Sequence, residues 1–124
     1  MAGKGIHTYS VQESQNAGLG QAGSVFIDAS GASSPPTGKA FIAITFLADT
    51  IFDGDAGGLV SENSAIYPNT VAAAHDNSDG SETVVEGSGG VIIDASNTFP
   101  QGVSIYGRWT EIDITSGMLI AYIG

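Results

Sequence analysis

The chain has no cysteine, so it can hold neither a disulfide framework nor a thiolate metal site. Cations are almost as scarce: Lys4, Lys39 and Arg108 stand against 13 acidic residues, a formal charge of −10. Three cations cannot form a footprint on a phosphate backbone that the rest of the surface repels, so no nucleic-acid partner is expected. No segment reaches the roughly 18 consecutive apolar residues of a membrane-spanning helix, and no membrane partner is expected either. The opening stretch, MAGKGIHTYSVQESQNAGLG, has no apolar h-region. This predicts a protein that folds in the cytoplasm of the cell that makes it and is not exported by a secretory signal.

Long helical periodicities are also missing. In their place are 18 glycines and many Ser, Asn and Asp residues between short apolar runs, the composition of strands joined by tight turns. The expected fold is all-β, a compact antiparallel sandwich or jelly-roll-like barrel in a single domain over residues 21–124. Residues 1–20 are polar and aperiodic, with Ile6, Tyr9 and Val11 as the sizeable apolar groups before Leu19. They read as an extended arm that cannot bury enough surface alone to offset its ordering entropy.

SVFIDASG (24–31) predicts a short strand closed by a turn. KAFIAITFL (39–47) predicts a central strand covered on both faces, with Ile42, Ile44 and Phe46 on one and Phe41, Ala43, Thr45 and Leu47 on the other. ADTIFDGDAGG is expected to break it, LVSENSAIYPNT can hold a short strand, and VAAAHDNSDGSE reads as a loop with room for one helical turn at 71–75. VIIDAS (91–96) repeats five of the six residues of VFIDAS and predicts the same strand and turn used twice. FPQG (99–102) suits a type I turn with glycine in fourth place.

In EIDIT, Ile112 and Ile114 alternate with Glu111 and Asp113, whereas Trp109 has the opposite parity. Either a bulge near Gly107 flips the register or Trp109 lies on a second covered face. TSGM is expected to close a hairpin, with Met118–Ile123 returning along it. Neither parity of that last run is polar, so it should be shielded on both sides by a second sheet or a neighbouring subunit. Each large aliphatic group shielded in this way contributes about 1.5–3 kcal/mol.

Catalytic patterns are lacking. His7 and His75 fall in arm and loop, no G-x-S-x-G elbow or P-loop is present, and Glu111 with Asp113 reads as a solvated strand face. No enzymatic activity is expected. The acidic turns leave one chemical option, a structural calcium held by Asp53, Asp55, Asp76 and Asp79. Their spacing does not match the EF-hand pattern, and solvated turn aspartates are the plainer reading, so no cofactor is expected.

GKAFIAITFLADTIFD and FPQGVSIYGRWTEIDITSGMLIAYIG resemble stretches of small virion structural proteins of tailed bacteriophages, marine ones in particular. The matching positions are Phe99, Pro100, Gly102, Tyr106, Gly107, Arg108, Trp109, Ser116, Gly117 and the run 118–123. The two stretches cover about a third of the chain. The resemblance implies a non-enzymatic decoration (cement) protein on the outer surface of the virion head. Such a protein is often a homotrimer, with the major capsid protein as its partner, and stabilises the head by bridging coat subunits.

Tyr106, Trp109, Leu119, Ile120, Tyr122 and Ile123 are expected at subunit, capsid or core contacts, and Arg108 at a subunit or capsid contact. Ile6, Tyr9 and Val11 are expected to dock the arm on a coat-protein edge. Arg108 could meet a neighbour's carboxylate. The alternative is a tail- or fibre-associated protein that binds a host-surface carbohydrate or receptor, for which Phe52 and Tyr67 are the available exposed aromatics.

Overall fold

β-branched and aromatic residues fill FIAITFLADTIF without a proline or glycine, and this stretch forms the longest strand. The computed structural model describes residues 22–54, 57–63, 66–70 and 90–124. It contains β1 (Ser24–Ile27), β2 (Phe41–Phe52), β3 (Leu59–Ser61), β4 (Ser104–Ile112) and β5 (Ile114–Ile123). All pair antiparallel in one sheet of order β1-β5-β2-β4-β3. The fold is all-β, and β2 is central as expected. The sheet is not closed, and neither a second packed sheet nor a completed barrel is present among the described residues.

The connection between β4 and β5 determines the shape. Phe41 at the start of β2 lies opposite both Trp109 and Ile123, while Phe52 at its end lies opposite Ile114. Yet Trp109 and Ile114 are only five residues apart in the chain, and Asp113 alone separates β4 from β5. A straight twelve-residue strand would hold its ends about 36 Å apart, whereas five residues reach at most about 18 Å. β2 must therefore curl. It does so at register shifts between Phe41 and Ala43, Phe46 and Ala48, Ala48 and Ile51, and Ile51 and Phe52. The Asp53 N–H donates to the Asp113 carbonyl and the Asp113 N–H to that of Gly58, which fixes the corner.

The concave side of this curled sheet holds the core. Phe41, Ile44, Phe46, Phe52, Leu59, Trp109, Ile112, Ile114 and Leu119 are fully buried. Phe46 and Phe99 stack with ring centroids 5.1 Å apart, and Phe52 meets both edge-on. Such pairs contribute about 0.5–1.5 kcal/mol each beyond their burial. The shift at Ile42 changes the grouping expected for β2: Phe41 joins Ile44 and Phe46 in the core, and Ile42 turns outward.

Several turns differ from expectation. ADTIF does not break β2 but extends it to Phe52. TSGM is not a hairpin: Thr115–Met118 lie inside β5, where Gly117 has a φ of +115° at the shift between the Ala48–Met118 and Ile51–Ser116 pairs. The turn at FPQG falls one residue later. The Val103 N–H donates to Pro100, and Gly102 takes the third place with a φ of +89°, a type II arrangement.

VFIDAS and VIIDAS part ways as well. The first is β1 and a bend, whereas the second forms no strand and ends in a turn with Asn97 N–H bonded to the Asp94 carbonyl. Leu59–Ser61 is the short strand foreseen in LVSENSAIYPNT. The loop or helical turn at 71–82 and the arm at 1–20 lie outside the described residues.

Candidate interaction face

Antiparallel partners directly opposite one another share a face, so the registers determine what the convex side of the sheet presents. One row runs Ser24, Tyr122, Ala43, Tyr106 across β1, β5, β2 and β4. The next runs Phe26, Ile120, Thr45, Ser104. None of these eight side chains is charged, on a chain of formal charge −10. Tyr106 is 65% exposed and Phe26 56%, while Ile120, Tyr122 and Thr45 are half-buried. The hydroxyls of Thr45 and Ser104 bond each other across the strands at 2.8 Å. Half-buried Met118 and partly exposed Leu47 continue the apolar surface at one end.

The contact residues expected from sequence divide between the two sides of the sheet. Tyr106, Ile120 and Tyr122 lie on this open face. Leu119, Ile123 and Trp109 lie in the chain's own core. Within the chain itself the last strand is shielded on one flank: Leu119, Ala121 and Ile123 are buried, whereas Met118, Ile120 and Tyr122 are half covered and no second sheet lies over them among the described residues.

Trp109 shares the core with Ile112 and Ile114, so no second covered face is needed. The pairing with β2 is irregular near Gly107, where Gly107 and Arg108 stand against Ile42, and the parity of Trp109 relative to Ile112 changes further on, where the pairing with β3 shifts between Val60 and Ser61. Gly107 has a further task. A Cβ there would come within 2.9 Å of the indole, so the glycine leaves room for the ring. The indole N–H donates to the Pro68 carbonyl at 2.8 Å, satisfying a buried donor.

Arg108 has a partner within its own chain. Its Nε donates to Glu62 Oε1 at 2.8 Å within the same chain, linking β4 to the residue after β3. The Glu62 carboxylate raises the Arg108 pKa above its ordinary value through that hydrogen bond and its charge. Phe52, considered as an exposed aromatic for carbohydrate, is fully buried, and Tyr67 is half-buried.

Of the aspartates considered for calcium, Asp53 is half-buried, and Asp55, Asp76 and Asp79 lie outside the described residues, as do Ile6, Tyr9 and Val11. Among the described residues no group of three or more His, Asp or Glu side chains could hold a metal. Asp53 and Asp94 line an open cleft of about 450 Å³ with Gly54, Ala95, Ser96 and Thr115. The Asp94 carboxylate is engaged locally by the hydroxyl and N–H of Ser96, which hold its pKa below 3.8.

Phe26 was not among the residues singled out in the sequence, although its alternation with Val25 and Ile27 in SVFI was a readable signal. No family model matches this chain, and neither a curated protein nor a solved structure is matched by it.

Proposed function

We propose that this chain is a non-enzymatic structural protein of a tailed-bacteriophage particle, a decoration protein that seats on the outer surface of the head and bridges major capsid protein subunits. The observation that carries this reading is the pair of uncharged rows on the convex side, with Phe26 on β1, Tyr106 on β4, and Ile120 and Tyr122 on β5. Exposed aromatic and aliphatic groups gathered on one face, here with uncharged hydroxyl side chains among them, suit macromolecular contact. The acidity elsewhere suits a surface turned toward solvent and away from packaged nucleic acid. The likeness of residues 99–123 to small virion proteins supports the same assignment.

The face measures about 19 Å across four strands and about 14 Å along them, roughly 270 Å². A standard stable interface takes about 800 Å² from each partner. One such face is therefore a weak contact alone and gains strength when several copies engage a repeating shell at once. The carbohydrate-binding alternative loses support from the burial of Phe52.

Heads assembled without this protein supply the test. Mixed with the purified chain and sedimented, they should carry it down, and the Tyr106→Ser/Ile120→Ser double variant should stay in the supernatant. Equal occupancy by the two would remove the face from the account. Binding to tails but not to heads would remove the head assignment.

A further inference from the structure

We infer that the open edge of β1 accepts residues His7–Gln12 of a second copy of this chain, so that copies are joined by exchanged arms. The inference goes beyond the virion reading and stands without it.

The acceptor is the backbone of β1. Ile123 N–H donates to the Gly23 carbonyl, which makes Gly23 and Ile123 a hydrogen-bonded pair. Such pairs alternate along an antiparallel ladder. Val25 and Ile27 therefore bond to β5, while the N–H and C=O of Ser24 and Phe26 point out of the sheet. Among the described residues none of these four groups has a partner. Proteins usually blunt an edge with lysine, proline or a bulge. β1 is short, at four residues, but SVFI has none of these and its register with β5 is unbroken. Phe26, which is 56% exposed, stands at that edge beside Ile120.

The occupant follows from composition and length. HTYSVQ alternates His7, Tyr9 and Val11 with Thr8, Ser10 and Gln12, carries no acid and no proline, and precedes the first acid, Glu13. Seated on the edge with Tyr9 and Val11 outward, it extends the Phe26–Ile120 row and covers the exposed ring. Residues 13–23 connect it to β1. Eleven residues exceed the two to five of an ordinary hairpin, which disfavours folding back on the same β1. Extended, they reach up to about 36 Å, far enough for an adjoining copy. The convex face is too small to hold a second globular copy by itself, and an added strand supplies the missing backbone bonds and area.

The absence of cysteine makes the test clean. Two variants of the full chain, Tyr9→Cys/Phe26→Cys and Val11→Cys/Phe26→Cys, are oxidised at low micromolar concentration and sized without reductant. A Tyr9→Cys/Thr110→Cys chain serves as the control for bridges formed by chance collision. The expected result is covalent multimers from at least one Phe26 variant, reversed by reductant and well above the control.

Alongside, the Ser24 and Phe26 amides of the unmodified chain should exchange at least tenfold more slowly than in a chain lacking residues 1–12. A bridge closed within one chain would place the arm on its own β1 and overturn the exchange. Multimers no more abundant than in the control, or equal amide exchange with and without the arm, would overturn the pairing itself.

Discussion

Gly117 lies against Thr50 so closely that a Cβ on it would fall within 2.6 Å of the Thr50 Cα. The Thr50 hydroxyl, fully buried, accepts from the Met118 N–H at 3.3 Å and donates to the Ala48 carbonyl at 2.8 Å. With its φ of +115°, Gly117 thus combines a backbone conformation that L-residues avoid with an approach that only a missing side chain allows. Gly117→Ala should cost about 2–4 kcal/mol, from backbone strain and overpacking together. Urea unfolding measures it, and a cost under about 0.5 kcal/mol would mean that β5 slips its register to accommodate the methyl group.

Trp109 offers a graded test of the core. Trp109→Ala should destabilise by about 3–5 kcal/mol, because it empties a fully buried site. Trp109→Phe keeps much of the apolar area but leaves the Pro68 carbonyl without its donor. It should cost about 1–3 kcal/mol. Equal losses for the two would mean that the hydrogen bond carries more than the packing.

Neighbouring residues of β5 separate core from contact surface. Leu119→Ala should lose about 2–5 kcal/mol. Ile120→Ala, on the half-covered face, should lose less than about 1.5 kcal/mol. Thermal or denaturant melts of the isolated protein report both. An Ile120 loss matching that of Leu119 would show that something already shields the convex side.

The Asp94 carboxyl should titrate below 3.8, because the Ser96 hydroxyl and N–H both bond to the charged form. A folded-state value below the unfolded one favours folding above the unfolded value, and that contribution fades as pH falls through the folded one. Carbon-detected NMR titration should show the midpoint rising toward 3.8 in Ser96→Ala. An unchanged midpoint would leave the backbone N–H as the whole cause.

The parts of the fold that sequence revealed are those set by local pattern. The all-β class, the central place of β2, the strand at SVFI and the short one at Leu59–Ser61 follow from alternation and turn chemistry. The misses arise where tertiary contacts override that pattern. Ser116–Gly117 has the composition of a hairpin turn, yet the same glycine serves as a bulge because Thr50 presses on it. VIIDAS has the strand propensity of VFIDAS but forms no strand, which sequence similarity over six residues could not disclose. Irregular pairing at Ile42 and again between Trp109 and Ile112 switches which side chains face inward, and period-two reasoning carries no mark of either site. On the candidate face, Tyr106, Ile120 and Tyr122 were recognisable as apolar. That Trp109 and Leu119 are spent on the chain's own interior became visible only in the register.

Both flanks of β2 are occupied by β4 and β5, which together form an almost continuous run beginning some fifty positions further along the chain. The central strand can therefore gain no partner on either flank until that distant run arrives, and both pairings carry a large loop-closure entropy. Topologies dominated by such remote contacts reach the native state in milliseconds to seconds, not microseconds. During that interval the bare hydrogen-bonding groups of FIAITFLADTIF are a self-association hazard that every freshly made copy must outlast.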